Sequence, residues 1–185
     1  MMMTACRESE YERVLERELA SNVRQDSLFL GIKLGMTSKE FYTHCWKINK
    51  QGLIRQGNSN TSVLYEMPNQ LKFPAEMNFY PTFYEDRIYE MPVTFSYVNW
   101  APWNKPTRAD SLQVEVLDLM QKWYGEDFIE IPGENGKVAY VRIDGNRRIS
   151  VSVLNERQVS VLFTDMLLNE EVEAEIQKRR ERQQQ

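Results

Sequence analysis

The sequence predicts an α+β fold in which an antiparallel sheet carries helices on one face. Three observations support this prediction. Segments with helical spacing of apolar residues alternate with segments of two-residue alternation, and the order helix then strands occurs twice. Turn-forming residues separate the strands at short intervals, which favours antiparallel neighbours. The chain has 185 residues, 42% of them hydrophobic, which is enough for one domain with a real core.

The order of these segments divides the chain into three parts. Residues 1–25 are predicted to form a tether and an N-terminal helix from Glu10 to Val23, and residues 167–185 a charged C-terminal helix. Residues 26–166 are predicted to form a single α+β domain. Within it, a first helix-plus-strands unit covers about 26–98 and a second covers about 107–166.

The first unit begins with a short extended segment, 26–35, and then a clear helix signal. Thr37 and Glu40 form a capping box, and the helix is expected to run to about Gln51, with Gly52 just beyond it. Its buried side should carry Phe41, Cys45, Ile48 and Trp46. Three strands of a meander follow, at Thr61–Met67, Lys72–Tyr84 and Ile88–Val98. Prolines within them imply edges, bulges or strand ends, since proline donates no ladder hydrogen bond.

The second unit repeats this order. Asp110 or Ser111 is the expected N-cap of its helix, and Gly125 ends it. A hairpin turn is predicted at Gly145-Asn146. The predicted strands are Asp127–Ile131, Lys137–Asp144, Arg148–Leu154 and Gln158–Phe163.

Charge and composition restrict the partners. The formal net charge is −4 and the pI is about 5.2, whereas proteins that bind nucleic acid usually carry a basic excess, so no nucleic-acid partner is expected. No apolar run is long enough to span a bilayer. A single histidine, His44, and two cysteines give no metal-binding spacing, so we expect neither a metal nor a cofactor.

The first residues suggest a lipid anchor. Met3-Thr4-Ala5-Cys6 resembles the processing box of bacterial lipoproteins, in which the cysteine takes the lipid, and the polar residues after it could serve as a tether. A secretory signal needs about 7–15 apolar residues before such a box. The interpretation therefore requires a signal segment encoded upstream of Met1, and it makes Cys6 the expected attachment site.

A second resemblance lies at the start of the first domain helix. The segment Leu30 to Phe41, which contains Gly35-Met36-Thr37-Ser38-Lys39-Glu40, resembles the opening of small outer-membrane lipoproteins of the SmpA/BamE kind. That group is related to β-lactamase-inhibitor-protein-like domains, which use helix-plus-sheet units, sometimes in tandem. The resemblance implies an envelope lipoprotein in contact with other envelope proteins. Here the motif marks a helix start and supplies no catalytic group.

The loop at Asn99–Pro106 is the candidate binding segment. Trp100 and Trp103 lie in it, with Tyr97 upstream and Asn104 beside them. Tryptophan is enriched at interface hot spots, and aromatic rings beside amides can bind sugars or peptides. Alternatively, the two indoles plug the core between the two units.

No usual catalytic motif is present. His44 and Cys45 are neighbours on a predicted helix, so their side chains should point in different directions. Glu85-Asp86 and Glu126-Asp127 are carboxylate pairs in predicted turns, which leaves an enzyme using them as an unfavoured alternative.

These observations lead to one principal functional prediction. We expect a non-enzymatic, lipid-anchored protein of the bacterial cell envelope that faces the periplasm or the surface and binds another envelope protein. The alternative is a soluble peptide- or glycan-binding module that uses the Trp100–Trp103 loop, with the cytoplasm as its default location.

Overall fold

The computed structural model of the chain describes residues 9–57, 61–132 and 136–183. These residues form four α-helices and nine strands, together with a short 3-10 turn at Lys105–Thr107. The helices are α1 (Glu10–Ala20), α2 (Ser38–Lys50), α3 (Ala109–Tyr124) and α4 (Met166–Gln183). The strands are β1 (Arg55–Gln56), β2 (Val63–Met67), β3 (Ala75–Phe79), β4 (Thr82–Tyr84), β5 (Arg87–Tyr97), β6 (Ile129–Pro132), β7 (Val138–Asp144), β8 (Arg147–Val153) and β9 (Gln158–Asp165).

All nine strands belong to one antiparallel sheet, which confirms the predicted α+β class. The strand order is β1-β2-β3-β5-β9-β8-β7-β6, and β4 pairs with β5 outside this path. Each unit is therefore a helix followed by a meander, and the last strands of the two meanders pair with each other. Val93 of β5 stands opposite Val161 of β9 near the centre of that pairing. The tandem order thus produces an approximately two-fold sheet with the first strand of each unit at an edge.

Proline divides the long second strand that the sequence predicted. The chain leaves β3 at Phe79, passes Pro81 and resumes as β4. Pro92 of β5 lies opposite this break, where the N–H of Tyr80 donates to its carbonyl oxygen at 3.4 Å. The N–H and C=O of a strand residue point to the same side. The missing N–H of Pro92 therefore faces the gap between β3 and β4, where no ladder bond is lost.

Local capping signals set the starts of the first two helices. Thr37 accepts from the backbone of Glu40, whose carboxylate accepts from the N–H of Thr37 at 2.8 Å, so the predicted capping box is confirmed. Ser9 and Glu12 make the same arrangement at α1. α1 ends at Ala20 and not at Val23, because the chain turns there and Asn22 adopts a positive φ of 55°.

Non-local contacts explain where the sequence prediction was wrong. α3 has Arg108 as its N-cap, with no side-chain cap bond, and neither Asp110 nor Ser111 serves. The N–H of Ala109 donates to the carbonyl of Glu156 at 3.0 Å, so the turn between β8 and β9 satisfies the helix start.

Trp46 does not lie on the buried side of α2, where the sequence placed it. Its side chain is 63% exposed, and the Nζ of Lys50, one helical turn later, lies 3.6 Å from the centroid of its ring.

Residues 26–35 form a folded loop and not an extended strand. The backbone turns at Leu30 and Gly31, both with positive φ, and Ser27 bridges to Lys33. The turn points Phe29 into the core, where its ring centroid lies 4.9 Å from that of Phe79 and 5.7 Å from that of Phe163. Together with α3, this loop covers one face of the sheet.

The terminal helices pack on the opposite face. Tyr11 of α1 lies 3.3 Å from Arg148 of β8, whose side chain points away from the face that carries its neighbour Ile149. On α4, Glu175 accepts a hydrogen bond from Tyr84 at 2.8 Å, and Val172 is buried. The predicted N- and C-terminal extensions are therefore docked on the domain.

Candidate functional site

The tryptophan loop, residues 99–106, connects β5 to α3 at one end of the sheet. Its backbone is folded on itself. The N–H of Asn104 donates to Ala101 at 3.0 Å, and the carbonyl of Asn104 accepts from both the N–H and the hydroxyl of Thr107, at 3.0 and 2.9 Å. Thr107 is buried, so these bonds fix the loop to the domain.

The two indoles of the loop have different environments. Trp100 is half-buried, its Nε1–H donates to the carbonyl of Glu156 at 3.3 Å, and the guanidinium carbon of Arg157 lies 5.9 Å from its ring centroid. Trp103 is 85% exposed, more than any other large apolar side chain among the described residues. One indole therefore anchors the loop and the other projects from it.

Two further apolar side chains lie exposed at the same end of the sheet. Val98 follows β5 and Leu154 follows β8, and each is about half exposed. The β5–β9 register and the bond between Leu154 N and Gln158 O at 3.0 Å bring both residues close to the turn at Glu156 that Trp100 contacts. Lys105 and Arg157 are exposed beside them. The surface thus combines apolar groups with charges of both signs, since Glu156 is exposed in the same turn.

The other two predicted binding residues lie in different places: Tyr97 is in the core, and Asn104 is in the loop. Tyr97 is fully buried, and its ring stands edge-on to Phe73 with centroids 5.4 Å apart. Burial raises its pKa, and proximity to Glu115 adds to this. Tyr97 therefore belongs to the core. The structure brings Trp100, Trp103 and Asn104 together on one loop.

The surroundings of His44 and Cys45 favour a structural role for both side chains and not a catalytic one. Burial raises the pKa of Cys45 to about 11, so the thiolate is scarce at neutral pH. His44 Nε2 lies 2.7 Å from the carbonyl oxygen of Leu30 and so holds the 26–35 loop. Cys6 lies outside the described residues, and its attachment role stays a prediction.

The turn carboxylates also make structural contacts. Asp86 accepts from the N–H of Ser38 at 3.2 Å at the start of α2, and Asp127 pairs with Arg142 at 3.0 Å. Asp127 lines a groove beneath α1 together with Glu18, whose pKa is lowered, chiefly by a hydrogen bond from the N–H of Gly145. A general acid needs a raised pKa. Within the described ranges, no group of three or more His, Cys, Asp or Glu residues could hold a metal ion.

Sequence reasoning missed a cleft on the α3 face of the sheet. It has a volume of about 830 Å³ and lies between residues 25–30, the C-terminal end of α3 and the sheet. Arg142 and Asp144, two residues apart on β7, and Arg147 at the start of β8 line it. The signal available was the spacing of Arg142 and Asp144, which puts two charges on one side of a predicted strand.

Comparisons with known proteins add no relative. No family model, curated protein or solved structure matches the chain. Across the described residues, none of the helices has the length and apolar character needed to cross a bilayer. The chain's own residues are therefore the guide to its function.

Proposed function

We propose that the chain is a non-enzymatic binding domain of a bacterial envelope lipoprotein, and that its tryptophan loop contacts another envelope protein. The observation that carries the proposal is Trp103, which is 85% exposed on a loop whose backbone is hydrogen-bonded in place. A buried indole removes roughly 150–250 Å² from contact with water. An exposed one on an ordered loop therefore forgoes a large apolar contribution that a partner surface can recover.

The surroundings of Trp103 favour a protein partner. Interface hot spots combine tryptophan and arginine at the centre of a patch. Here the guanidinium carbon of Arg157 lies 5.9 Å from the ring centroid of Trp100, and Lys105 is exposed two residues after Trp103. The complementary surface is a small apolar pocket with charged groups at its rim. The Met3-to-Cys6 segment and the resemblance at Gly35 to Glu40 support an envelope location.

A photo-crosslinking experiment tests the loop. A photoreactive residue replaces Pro102, which is exposed, in the full chain expressed with its natural upstream region. We expect an adduct with a defined envelope protein that Trp103→Ala reduces at least fivefold. Val114→Ala is the matched control, because Val114 is also exposed but lies on α3. Equal adducts in both variants would exclude the loop as the contact surface.

Lipid labelling tests the anchor separately. Cells supplied with radiolabelled palmitate should label the wild type and Cys45→Ala but not Cys6→Ala. Cys45 is the suitable control because it is the second cysteine of the chain and is half-buried in the domain. Equal labelling of Cys6→Ala and wild type, or none in either, would remove the lipoprotein proposal and leave the loop test unaffected.

A further inference from the structure

The solvent side of α2 carries aromatic and basic side chains that the domain leaves exposed. Tyr42 and Trp46 lie four residues apart on it and are 50% and 63% exposed. Residues three, four or seven apart share one face of a helix. Lys39 and Lys50 therefore share the face of Trp46, and Lys47 lies three residues before Lys50 on its flank. These five exposed residues form what we call the outer face of α2.

Contacts within the domain hold the two aromatic rings of this face in place. The hydroxyl oxygen of Tyr42 lies 2.6 Å from that of Tyr80. The Nζ of Lys50 lies 3.6 Å from the ring centroid of Trp46. A cation over an exposed ring interacts only weakly, so the charge of Lys50 stays available to a partner. Both rings are thus ordered and still open to solvent.

A further apolar side chain lies at the C-terminal end of the helix. Gly52, with a φ of 72°, ends α2, and the N–H of Leu53 donates to the carbonyl of Ile48 at 3.1 Å. This bond is the backbone closure of a Schellman motif, which fixes Leu53 beside the last turn. The side chain of Leu53 is 48% exposed. The end of α2 therefore presents a third large apolar group.

The charge of this face is positive, although the chain as a whole has a net charge of −4. α2 contains three lysines and one carboxylate, and Lys47 and Lys50 both lie in its last turn. Within the described ranges, none of the three lysines makes an ion pair. The last turn is therefore a local cationic surface beside exposed apolar groups.

The carboxylates nearest to α2 do not neutralise its last turn. Glu40 belongs to the capping box, and Asp86 accepts from the N–H of Ser38, so both lie at the opposite end of the helix. Beyond the C-terminal end, Glu66 pairs with Arg55 at 2.7 Å. The lysines of the last turn are thus left to an external anionic partner.

The composition of this face fits a lipid surface better than a protein. Lysine is depleted in protein–protein interfaces. At a membrane, its aliphatic stem covers apolar surface while its ammonium group stays in water, and tyrosine and tryptophan favour the membrane–water boundary. A second copy of the chain fits poorly, because a two-fold contact would set Lys47 and Lys50 against the same positive charges.

We propose that the outer face of α2, together with Leu53, docks on a bilayer that contains anionic phospholipid. Tyr42 and Trp46 lie at the level of the head groups, the lysines contact the phosphates, and Leu53 points towards the acyl chains. Helices that bind in this way insert about 5–10 Å into the boundary and do not span the bilayer. This contact adds to the proposed anchor at Cys6 and does not depend on it.

Sedimentation with vesicles tests the proposal on the purified full chain, expressed without an upstream signal and so free of attached lipid. One set of vesicles is phosphatidylcholine, and in the other a third of the lipid is phosphatidylglycerol. Each basic residue near an anionic surface contributes about fivefold in affinity. We expect at least tenfold stronger binding to the anionic vesicles, and this preference should disappear at about 1 M salt, where the Debye length is about 3 Å. No binding, or equal binding to both kinds of vesicle, would overturn the proposal.

Matched variants locate the contact on the protein. The double variant Lys47→Gln with Lys50→Gln should weaken binding to anionic vesicles roughly ten- to thirtyfold. Lys105→Gln with Arg157→Gln removes the same charge from the tryptophan loop and its neighbouring turn, and should change binding less than twofold. Equal losses in the two double variants would overturn the assignment to α2. Each variant must unfold cooperatively like the wild type, since partly folded chains expose other apolar surface.

Quenching by brominated phospholipids identifies the tryptophan that enters the boundary. The chain has four tryptophans, and we expect the quenching on anionic vesicles to disappear in Trp46→Phe and to persist in Trp103→Phe. The reverse result would place the tryptophan loop on the lipid and overturn the proposal. Neither outcome depends on lipid labelling at Cys6, so failure here and failure of the lipoprotein proposal remain distinguishable.

Discussion

Asp165 joins three segments of the fold, so its substitution should destabilise the domain measurably. It is fully buried at the end of β9, one residue before α4. Its Oδ1 accepts from the N–H of Leu167 at 3.2 Å, which caps the helix, and its Oδ2 accepts from Arg24 at 2.9 Å. Arg24 also pairs with Asp26 at 2.9 Å. The same carboxylate therefore holds both the C-terminal helix and the segment that leaves α1.

The expected cost of Asp165→Ala follows from these two contacts. Loss of an N-cap costs about 1 kcal/mol. The ion pair adds about 1 kcal/mol at most, because the Arg24 side chain is 49% exposed and keeps Asp26 as a partner. The sum is about 2 kcal/mol of unfolding free energy. Asp165→Asn keeps an oxygen that can accept from the N–H of Leu167 but loses the charge. We therefore expect it to lower the unfolding free energy by about 1 kcal/mol.

Urea unfolding followed by circular dichroism measures both variants. The midpoint should fall at constant slope, because the surface exposed on unfolding does not change. For a chain of this size, about 2 kcal/mol corresponds to a melting temperature lower by roughly 4–8 °C. Asp110→Ala serves as the control, since Asp110 lies exposed in the first turn of α3 and is not its cap. A change below about 0.5 kcal/mol for Asp165→Ala would refute the reasoning. Equal losses in the Ala and Asn variants would assign the effect to charge alone.

Three further predictions concern other parts of the domain. Desolvation raises the pKa of Glu90, helped by Glu173 and opposed by Arg148. The folded state then holds the proton to a higher pH than the unfolded chain, so stability falls as pH rises through that window. Glu90→Gln should therefore stabilise the protein at pH 7, and this stabilisation should vanish in acid, where Glu90 is protonated. Stabilisation that persists at low pH would show that burial of the charged carboxylate is not its cause. Gly145 has a φ of 56°, and a Cβ there would collide with the carbonyl oxygen of Val23, so Gly145→Ala should cost more than about 2 kcal/mol. Gly52→Ala, with φ of 72° and open space, should cost about 1 kcal/mol, and equal losses would show that the collision is relieved. Trp103→Ala should change the unfolding free energy by less than about 0.5 kcal/mol, and a larger loss would mean that the indole supports the fold.

Local signals account for the parts of the fold that could be predicted. The Thr37–Glu40 capping box and Gly52 gave the bounds of α2 within one residue, because both ends are set by neighbouring atoms. The start of α3 could not be found in this way. Its first N–H bonds to Glu156, 47 residues later in the chain, and no local pattern carries that contact.

The candidate sites show the same division between local and distant information. The tryptophan loop is a continuous segment, so composition alone identified it. Tyr97 was misplaced although a signal existed: it continues the alternation of Val93 and Phe95 on the buried side of β5. The cleft needs residues from the loop at 25–30, from α3 and from four strands, and only the folded chain brings them together.

The two sites lie at opposite ends of α3, and this arrangement makes their roles separable. The tryptophan loop precedes Ala109, whereas the cleft uses the last turn and a half of the helix, including Leu119 and Tyr124. At about 1.5 Å per residue, the two ends of this helix lie roughly 22 Å apart. Substitutions separated by more than about 10 Å and without shared partners usually act independently. A partner protein on the loop would therefore leave the cleft accessible. Coupling between the tryptophan loop and the cleft would require α3 to move along its axis. The buried contacts of Leu112 and Val116 with the sheet oppose this movement.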